Sequence, residues 1–409
     1  MHTAGIKKPF KPLLASYGGG HAQIIAALTH ALIARGAEPY LVGFTTARDF
    51  FTKNGLSPNS ILCMENPDTE VYSGIIPYLS SFLQDQQHPN ILPRETEAYF
   101  KIGFFDLVRE HGFLEARKLL DSLGRKAFKP VRAMEEFLTR TAPDCVVTTT
   151  SPRFEHALLK AARRLGIPSI AVSDLFLLNE REWILEGGYA EHLTVLNRQV
   201  ADDLYNAGLR GTEIHITGNP AFDSLSPLPE DQKRRAELRT QLKIGKNSKL
   251  ILWPSPAVTS TPLYSKQLLS PSQVSAAFEE LCADQPSFSY MLRPHPNAPY
   301  SLPAGAEKGF LDPGFSPRDA LVISDIVCVE LSTMGLQAAL YGLPVICVGF
   351  AKEAVYPQYG LAKAASSIKE AIAILKAKAY SSPLRSEDMP EPGTATQAIV
   401  DLIYEIGTR

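Results

Sequence analysis

Near the start of the chain a short apolar run, Lys11-Pro12-Leu13-Leu14-Ala15-Ser16-Tyr17, leads directly into Gly18-Gly19-Gly20-His21. From Ala22 to Arg35 the residues Ile24, Ala27, Leu28, Leu32 and Ile33 recur at roughly helical spacing, and Gly36 stops the pattern. Pro39-Tyr40-Leu41-Val42-Gly43-Phe44 then reads as another strand. Strand, glycine turn, helix, strand is how a parallel sheet begins, and it narrows the fold class to α/β.

The same rhythm returns downstream. Strands are expected at Asp144–Thr150, Ser169–Ser173, His192–Leu196 and Ile214–Thr217, separated by helices over Arg153–Leu165 and Arg198–Ala207. A second series is expected at Leu250–Trp253, Phe288–Arg293, Ala320–Ile323, Ile326–Val329 and Pro344–Val348. Near-continuous apolar runs of this kind suit strands covered on both faces. The expected domains are therefore 1–225, a linker over 226–247 that holds Pro227, Pro229 and a charged helix around Glu230 to Arg239, and 248–390, with a closing helix in 391–409. Residues from about 65 to 140 interrupt the first series with a helical insertion. It carries Tyr99, Phe100, Phe104, Phe105 and Phe113, and basic residues from Arg117 to Arg132. Its periodicity favours an ordinary amphipathic helical pair over an acceptor-binding or membrane-touching surface.

Composition excludes several classes. With 41 Lys+Arg against 43 Asp+Glu, a net charge of −2 gives no support to a nucleic-acid binder. No apolar stretch approaches the roughly 18–20 residues that span a bilayer, and Met1 to Phe10 lacks the apolar core of a signal peptide. The expected location is the cytoplasm, extending to the inner face of the membrane. Cys63, Cys145, Cys282, Cys328 and Cys347 are scattered, with no zinc-ligand or redox spacing.

In doubly wound sheets ligands bind at the carboxyl ends of strands, so the polar residues there are the site candidates. Gly18, Gly19 and Gly20 let backbone N–H groups approach a ligand, and His21 at their end suits proton transfer. Asp174 ends its strand and is a candidate base; Glu180 and Glu182 follow it. Arg293-Pro294-His295-Pro296 sets an imidazole between two prolines beside a guanidinium, which suits a phosphate or ribose. Glu330-Leu331-Ser332-Thr333-Met334-Gly335 follows another strand and opens a helix over Met334–Tyr341. Hydroxyls together with free N–H groups there suit a phosphate. Gly218-Asn219-Pro220-Ala221-Phe222-Asp223 reads as a hinge, with Asn219 as a polar contact. Glu155 and His156 share a helix and point apart, and they read as scaffold or as support behind the residues that touch a ligand.

Two such halves, with a glycine-rich loop after the first strand and phosphate-type motifs in the second half, resemble the GT-B class of glycosyltransferases: two Rossmann-like domains facing across a cleft. The non-hydrolysing UDP-GlcNAc 2-epimerases share that fold, and Ile214–Leu225, with its Thr-Gly-Asn-Pro-x-Phe-Asp pattern, is similar to their hinge segment. The His-Pro pair followed by a Ser/Thr pair resembles bacterial sialyltransferases, Kdo transferases of capsule assembly and CDP-glycerol polymerases. Sialyltransferases carry two serines where this chain has Ser332-Thr333. The resemblance implies that His295, Ser332 and Thr333 hold a nucleotide phosphate, that Glu330 contacts a ribose or base, and that Gly18, Gly19, Gly20 and His21 face the sugar or acceptor. In the absence of an Asp-Asp-Gly motif, the general base falls to His21 or Asp174.

The activity this resemblance implies is that of an inverting glycosyltransferase moving an acidic sugar of nonulosonic acid or Kdo type. The expected donor is a CMP-sugar, and the expected acceptor is a cell-surface glycan or a protein. The site residues are His21 and Asp174 for catalysis and Gly18, Gly19, Gly20, Asn219, Arg293, His295, Pro296, Glu330, Ser332, Thr333 and Gly335 for the donor. No cofactor and no metal are expected. The alternatives are a UDP-sugar transferase, or a UDP-GlcNAc 2-epimerase or nucleotide-sugar hydrolase.

Overall fold

A computed structural model describes residues 9–65, 75–83, 88–256, 260–261, 264–296, 298–349, 355–382 and 390–409. The chain forms two compact units: Met1–Asp223 together with Glu387–Arg409, and Ser224–Ser386.

Unit 1 begins with β1 (Pro12–Ser16), α1 (Gly20–Ala34), β2 (Tyr40–Gly43), α2 (Ala47–Lys53) and β3 (Asn59–Ser60). The insertion comes next as α3 (Ile76–Leu83), α4 (Pro93–His111), α5 (Phe113–Leu123) and α6 (Val131–Thr141); residues 66–74 and 84–87 of it lie outside the described residues. Then come β4 (Cys145–Thr149), α7 (Phe154–Leu165), β5 (Ser169–Val172), α8 (Arg181–Ile184), β6 (His192–Val195), α9 (Arg198–Asn206) and β7 (Glu213–Ile216). The strands form one parallel sheet in the order β3-β2-β1-β4-β5-β6-β7. Side chains alternate along each strand, so neighbours serve opposite faces. Leu13 and Ala15 join Val146 in a core with Phe104, Phe137 and Phe154. Leu14 and Val147 face the other way, onto α1 and the C-terminal helix. Tyr99, Phe100, Phe104 and Phe105 of the insertion are buried in the first of these cores, the place an amphipathic helix gives its aromatics.

Unit 2 contains α10 (Asp231–Gln241), β8 (Lys249–Pro254), a small antiparallel pair β9 (Ser260–Thr261) and β10 (Tyr264–Gln267), α11 (Pro271–Asp284), β11 (Phe288–Arg293) and β12 (Gly309–Leu311). It continues through α12 (Pro317–Ile323), β13 (Ile326–Val329), α13 (Met334–Tyr341), β14 (Val345–Val348), α14 (Val355–Gln358), β15 (Lys363–Ala365) and α15 (Ile368–Lys376); α16 (Ala395–Gly407) then belongs to unit 1. The parallel sheet of unit 2 runs β12-β11-β8-β13-β14-β15. Both sheets thus step outward from their first strand in one direction, then reverse. That reversal is the topological switch point of the doubly wound fold, and it falls between β1 and β4 in unit 1 and between β8 and β13 in unit 2.

One sequence expectation needs correction. Ala320–Ile323 is helical, not a strand. Ser316 caps that helix by accepting from the Asp319 N–H at 3.0 Å, and Pro317 occupies its first turn, a start signal stronger than the four apolar residues behind it. Within 226–247 the charged helix expected around Glu230 to Arg239 is present as α10, and it is tied into unit 2. Arg235 and Arg239 both pair with Asp325, at 2.8 and 3.1 Å, and Arg239 also donates to the Ile323 carbonyl.

Candidate functional site

In unit 1 the carboxyl ends of β1 and β4 meet around one buried carboxylate. Glu155, in the first turn of α7, is fully buried and accepts from the Tyr17 N–H at 2.7 Å, from the Thr149 N–H at 2.8 Å and from the Thr149 hydroxyl. It therefore straps the end of β1 to the end of β4, across the switch point. Burial drives its carboxyl upward, against the His21 charge and the Thr149 and Tyr17 hydrogen bonds. Glu155 is scaffold in this sense, and it sets where the glycine turn begins.

That turn has the geometry its residues allow. Gly19 takes a φ of 73°, open to glycine at no steric cost, and a Cβ on Gly18 would sit 1.8 Å from Thr46 Oγ1. Gly19 and Gly20 are exposed, and a Cβ on either would meet nothing within 4 Å. α1 starts at Gly20 without a side-chain cap, leaving its first N–H groups directed outward. His21 comes next, with Nε2 3.8 Å from Asp174 Oδ2 and Nδ1 buried without a hydrogen bond. The charges of Asp174 and His21 both bear on Glu180, whose carboxyl is pushed up mainly by burial. Glu182 is exposed. The structure thus brings His21, Glu155, Asp174 and Glu180 into one electrostatic cluster.

Around this cluster the edge is polar and strained. Ser16, Thr150, Ser173, Thr194 and Tyr189 have buried hydroxyls without a hydrogen bond inside the protein, and the Nε atoms of Arg153 and Arg181 are in the same position. Tyr17 carries the Arg153 guanidinium 4.8 Å above its ring, and its hydroxyl lies 3.3 Å from that of Tyr99. Thr45, Arg153 and Leu177, in the loops after β2, β4 and β5, all have positive φ, at 48°, 67° and 56°. Non-glycine residues held this way cost energy and gather at functional sites. A cavity of about 250 Å³ opens at the same edge, lined in part by Thr45, Glu95, Tyr99 and Arg125. None of these hydroxyls carried a sequence signal, because strands distant in the chain bring them together.

Asn219 is buried, and both ends of its amide are engaged within unit 1. Its Nδ2 donates to the Asp174 carbonyl at 2.7 Å, and its Oδ1 accepts from the Ala221 N–H at 2.8 Å. It fixes the backbone of Asp174.

Unit 2 places its candidates at its own switch point and one strand away. Glu330 directly follows β13 and is 4% exposed; its carboxylate accepts from the Leu269 N–H at 3.2 Å, and burial pushes it up to about 7. Ser332 and Thr333 open α13. Ser332 is half-buried, with its carbonyl accepting from the Tyr356 hydroxyl at 2.9 Å, and Thr333 is exposed. A Cβ on Gly335 would come within 2.8 Å of Tyr356 and Val329, so glycine is what lets α13 seat this closely. His295 follows β11, half-buried, in a tight reversal where the Ala298 N–H donates to its carbonyl at 2.9 Å; Pro296 is exposed. Arg293 is committed elsewhere: Asp312 and the Phe315 carbonyl hold its guanidinium.

No protein-family model and no curated protein sequence matches this chain. Solved structures do resemble it. UDP-GlcNAc 2-epimerase from Neisseria meningitidis, bound to UDP-GlcNAc, is 14% identical with a TM-score of 0.59, over 97% of this chain and 100% of that one. The epimerase from Methanocaldococcus jannaschii is 11% identical with a TM-score of 0.57, over 97% and 100%. A glycosyltransferase of kitacinnamycin is 13% identical with a TM-score of 0.56, over 98% and 100%. At such identities the likeness is one of fold, and together with the two doubly wound sheets it establishes that the chain has the two-domain α/β architecture of the GT-B class.

Proposed function

We propose that the protein is a glycosyltransferase that takes its sugar from a nucleotide donor. The observation carrying this reading is the pair Ser332-Thr333 at the start of α13, beside the unit 2 switch point, with the buried Glu330 just before it. Hydroxyls at the positive end of a helix stabilise the charge that develops on a departing nucleotide phosphate, and the Ser332 hydroxyl oxygen is set there by accepting from the Met334 N–H at 3.3 Å. His295 adds an imidazole to that phosphate, and Glu330 takes the ribose or base. In unit 1 His21 removes the proton from the acceptor hydroxyl, and Asp174, 3.8 Å away, stabilises the resulting imidazolium. The finer form is inverting transfer of an acidic sugar from a CMP-sugar to a glycan or protein, with no metal in the chemical step. Arg153 supports the acidic sugar, since its guanidinium stacks on Tyr17 at the end of β1, next to the glycine turn.

A second reading has its own observation. Epimerases of this fold need several carboxylates and a histidine around the sugar, and Glu155, Asp174, Glu180 and His21 form such a set. Several of the similar structures are named as UDP-GlcNAc 2-epimerases, and those from Neisseria meningitidis and Methanocaldococcus jannaschii have been solved with UDP-GlcNAc.

Melting temperatures with CMP, CDP, UMP, UDP and GDP separate the readings, because a ligand that binds the folded state raises the midpoint. A rise with CMP that His295→Ala abolishes is the expected result. A rise with UDP alone, together with a change at the sugar C2 of UDP-GlcNAc without any acceptor, selects the epimerase. If no nucleotide raises the midpoint, both readings fail. For the transferase, His21→Ala lowers kcat by about 10²–10⁴-fold while leaving the nucleotide shift in place.

A further inference from the structure

The outer edge of the unit 1 sheet assembles three side chains on one face of its last two strands. β6 and β7 are parallel, with His192 opposite Glu213 and Thr194 opposite His215. Side chains alternate along a strand, so Glu213 and His215 share a face, and His192, in register with Glu213, shares it too. His192 Nδ1 lies 3.0 Å from His215 Nε2. Glu213 sends one oxygen to each ring, Oε2 to 3.5 Å from His192 Nδ1 and Oε1 to 3.8 Å from His215 Nε2.

A tetrahedral divalent ion with bonds of about 2.0–2.1 Å holds its ligand atoms about 3.3–3.4 Å apart. The three separations bracket that value. A hydrogen bond between the two rings accounts for the shortest of them but not for the carboxylate. The Glu213 side chain is 67% exposed, free to extend into water, yet it turns its oxygens toward both imidazoles. The rings themselves are largely shielded, at 15% and 23%. Glu405 on α16 is near enough for its charge to act on His215, which adds a second negative charge to the neighbourhood.

We propose that His192, Glu213 and His215 form a binding site for a zinc-class divalent cation, with the remaining coordination open to solvent. Two imidazoles and one carboxylate select borderline first-row ions over magnesium or calcium, which prefer all-oxygen sites. Its position away from both switch points makes it a clip between the edge strand and its neighbour. An edge strand pairs on one side only, so a metal bond there adds a constraint that the backbone lacks.

The test is titration calorimetry of the full-length, tag-free chain with Zn²⁺, alongside His192→Ala, His215→Ala and Glu213→Gln, each checked for native circular dichroism. One Zn²⁺ per chain is expected, with the affinity falling by about 100-fold in either histidine variant and by about tenfold in Glu213→Gln. Zn²⁺, but not Mg²⁺, raises the melting temperature of the wild type, and the histidine variants lose that rise. Should a histidine variant fail to fold, His192→Gln and His215→Gln, which keep bulk and polarity, replace it. The proposal is overturned by the absence of Zn²⁺ binding, or by binding of equal strength and stoichiometry in the His192→Ala/His215→Ala double variant, which would locate the metal at other side chains.

Discussion

A carboxylic acid with its titration moved to neutrality reports on its surroundings, and Glu330 is such a group. Burial at the end of β13 pushes it up to about 7 from 4.5, and the Leu269 N–H offsets this only in part. The native state therefore keeps a proton that the unfolded chain releases. The associated stability is fully present below about pH 4.5 and is lost as pH rises through 7, by roughly 3 kcal/mol at 1.4 kcal/mol per unit. Urea unfolding at pH 5.5 and pH 8 reads this directly: the wild type loses more stability across that interval than Glu330→Gln does. The comparison isolates Glu330 from groups that titrate in the opposite sense, such as His156, which burial holds down at about 4. Glu330 was legible in the sequence because it sits between a strand and a Ser-Thr helix start. Its neighbour across the chain, the Leu269 N–H, was not, since only the fold brings residue 269 to the end of β13.

At the scale of elements, a local motif shows where a segment begins and ends but not what it packs against. The stretch from Gly218 to Asp223, read from the sequence as shaping the hinge, ends where unit 1 gives way to unit 2, and its Asn219 and Asp223 are engaged inside unit 1. Gly218 has a φ of 80°, and a Cβ there would meet the Ala395 Cβ at 3.4 Å. Asp223 accepts from the Ala395 and Thr396 N–H groups at 3.1 and 2.7 Å, so it caps α16 from a place far away in the sequence. Removing that carboxylate leaves two helix-start donors unpaired. Asp223→Ala is expected to cost about 1–2 kcal/mol, read as a lower urea midpoint at unchanged slope. α10 presents the reverse case. Its proline-flanked, charged sequence has the composition of a linker, but Asp325 accepts from Arg235, Arg239 and the Leu250 N–H. Asp325→Ala removes the carboxylate shared by two guanidinium groups, which keep their backbone carbonyl acceptors, and leaves the Leu250 N–H unpaired; it is expected to cost about 1–3 kcal/mol in the unfolding of unit 2. The metal-type cluster escaped the sequence for a related reason. His192 and His215 are 23 residues apart and meet only through the β6–β7 register. Local periodicity reports strands and helices; it carries no information about which strands become neighbours.

At the scale of the whole molecule, the chain leaves unit 1 at Asp223, builds unit 2, and returns to finish unit 1 with α16. α16 buries Ile399, Val400, Leu402, Ile403 and Ile406 against Leu14, Ile25, Leu28 and Val147. Five aliphatic side chains at about 1.5–3 kcal/mol each amount to roughly 8–15 kcal/mol, an upper estimate because the unfolded chain is itself partly compact. That equals the whole net stability of a typical domain, about 5–15 kcal/mol. A chain ending at residue 386 is therefore expected to lose the fold of unit 1. Its melting curve should retain only the transition of unit 2, and limited proteolysis should leave a fragment beginning near Ser224. Contacts at the far end of α16 provide the complementary experiment. Tyr404 lies against Phe10 with ring centroids 4.7 Å apart, Gly407 packs on the same ring, and Arg35 of α1 pairs with Asp401. The end of α16 thus lies beside the start of β1, and a short glycine-serine connection from residue 409 to residue 9 spans the gap. A permuted chain running 390–409, connection, 9–223 is expected to fold as a separate unit 1 with a cooperative transition of its own. An expanded, non-cooperative product, with native far-ultraviolet but no near-ultraviolet circular dichroism, would show that unit 1 requires the rest of the chain.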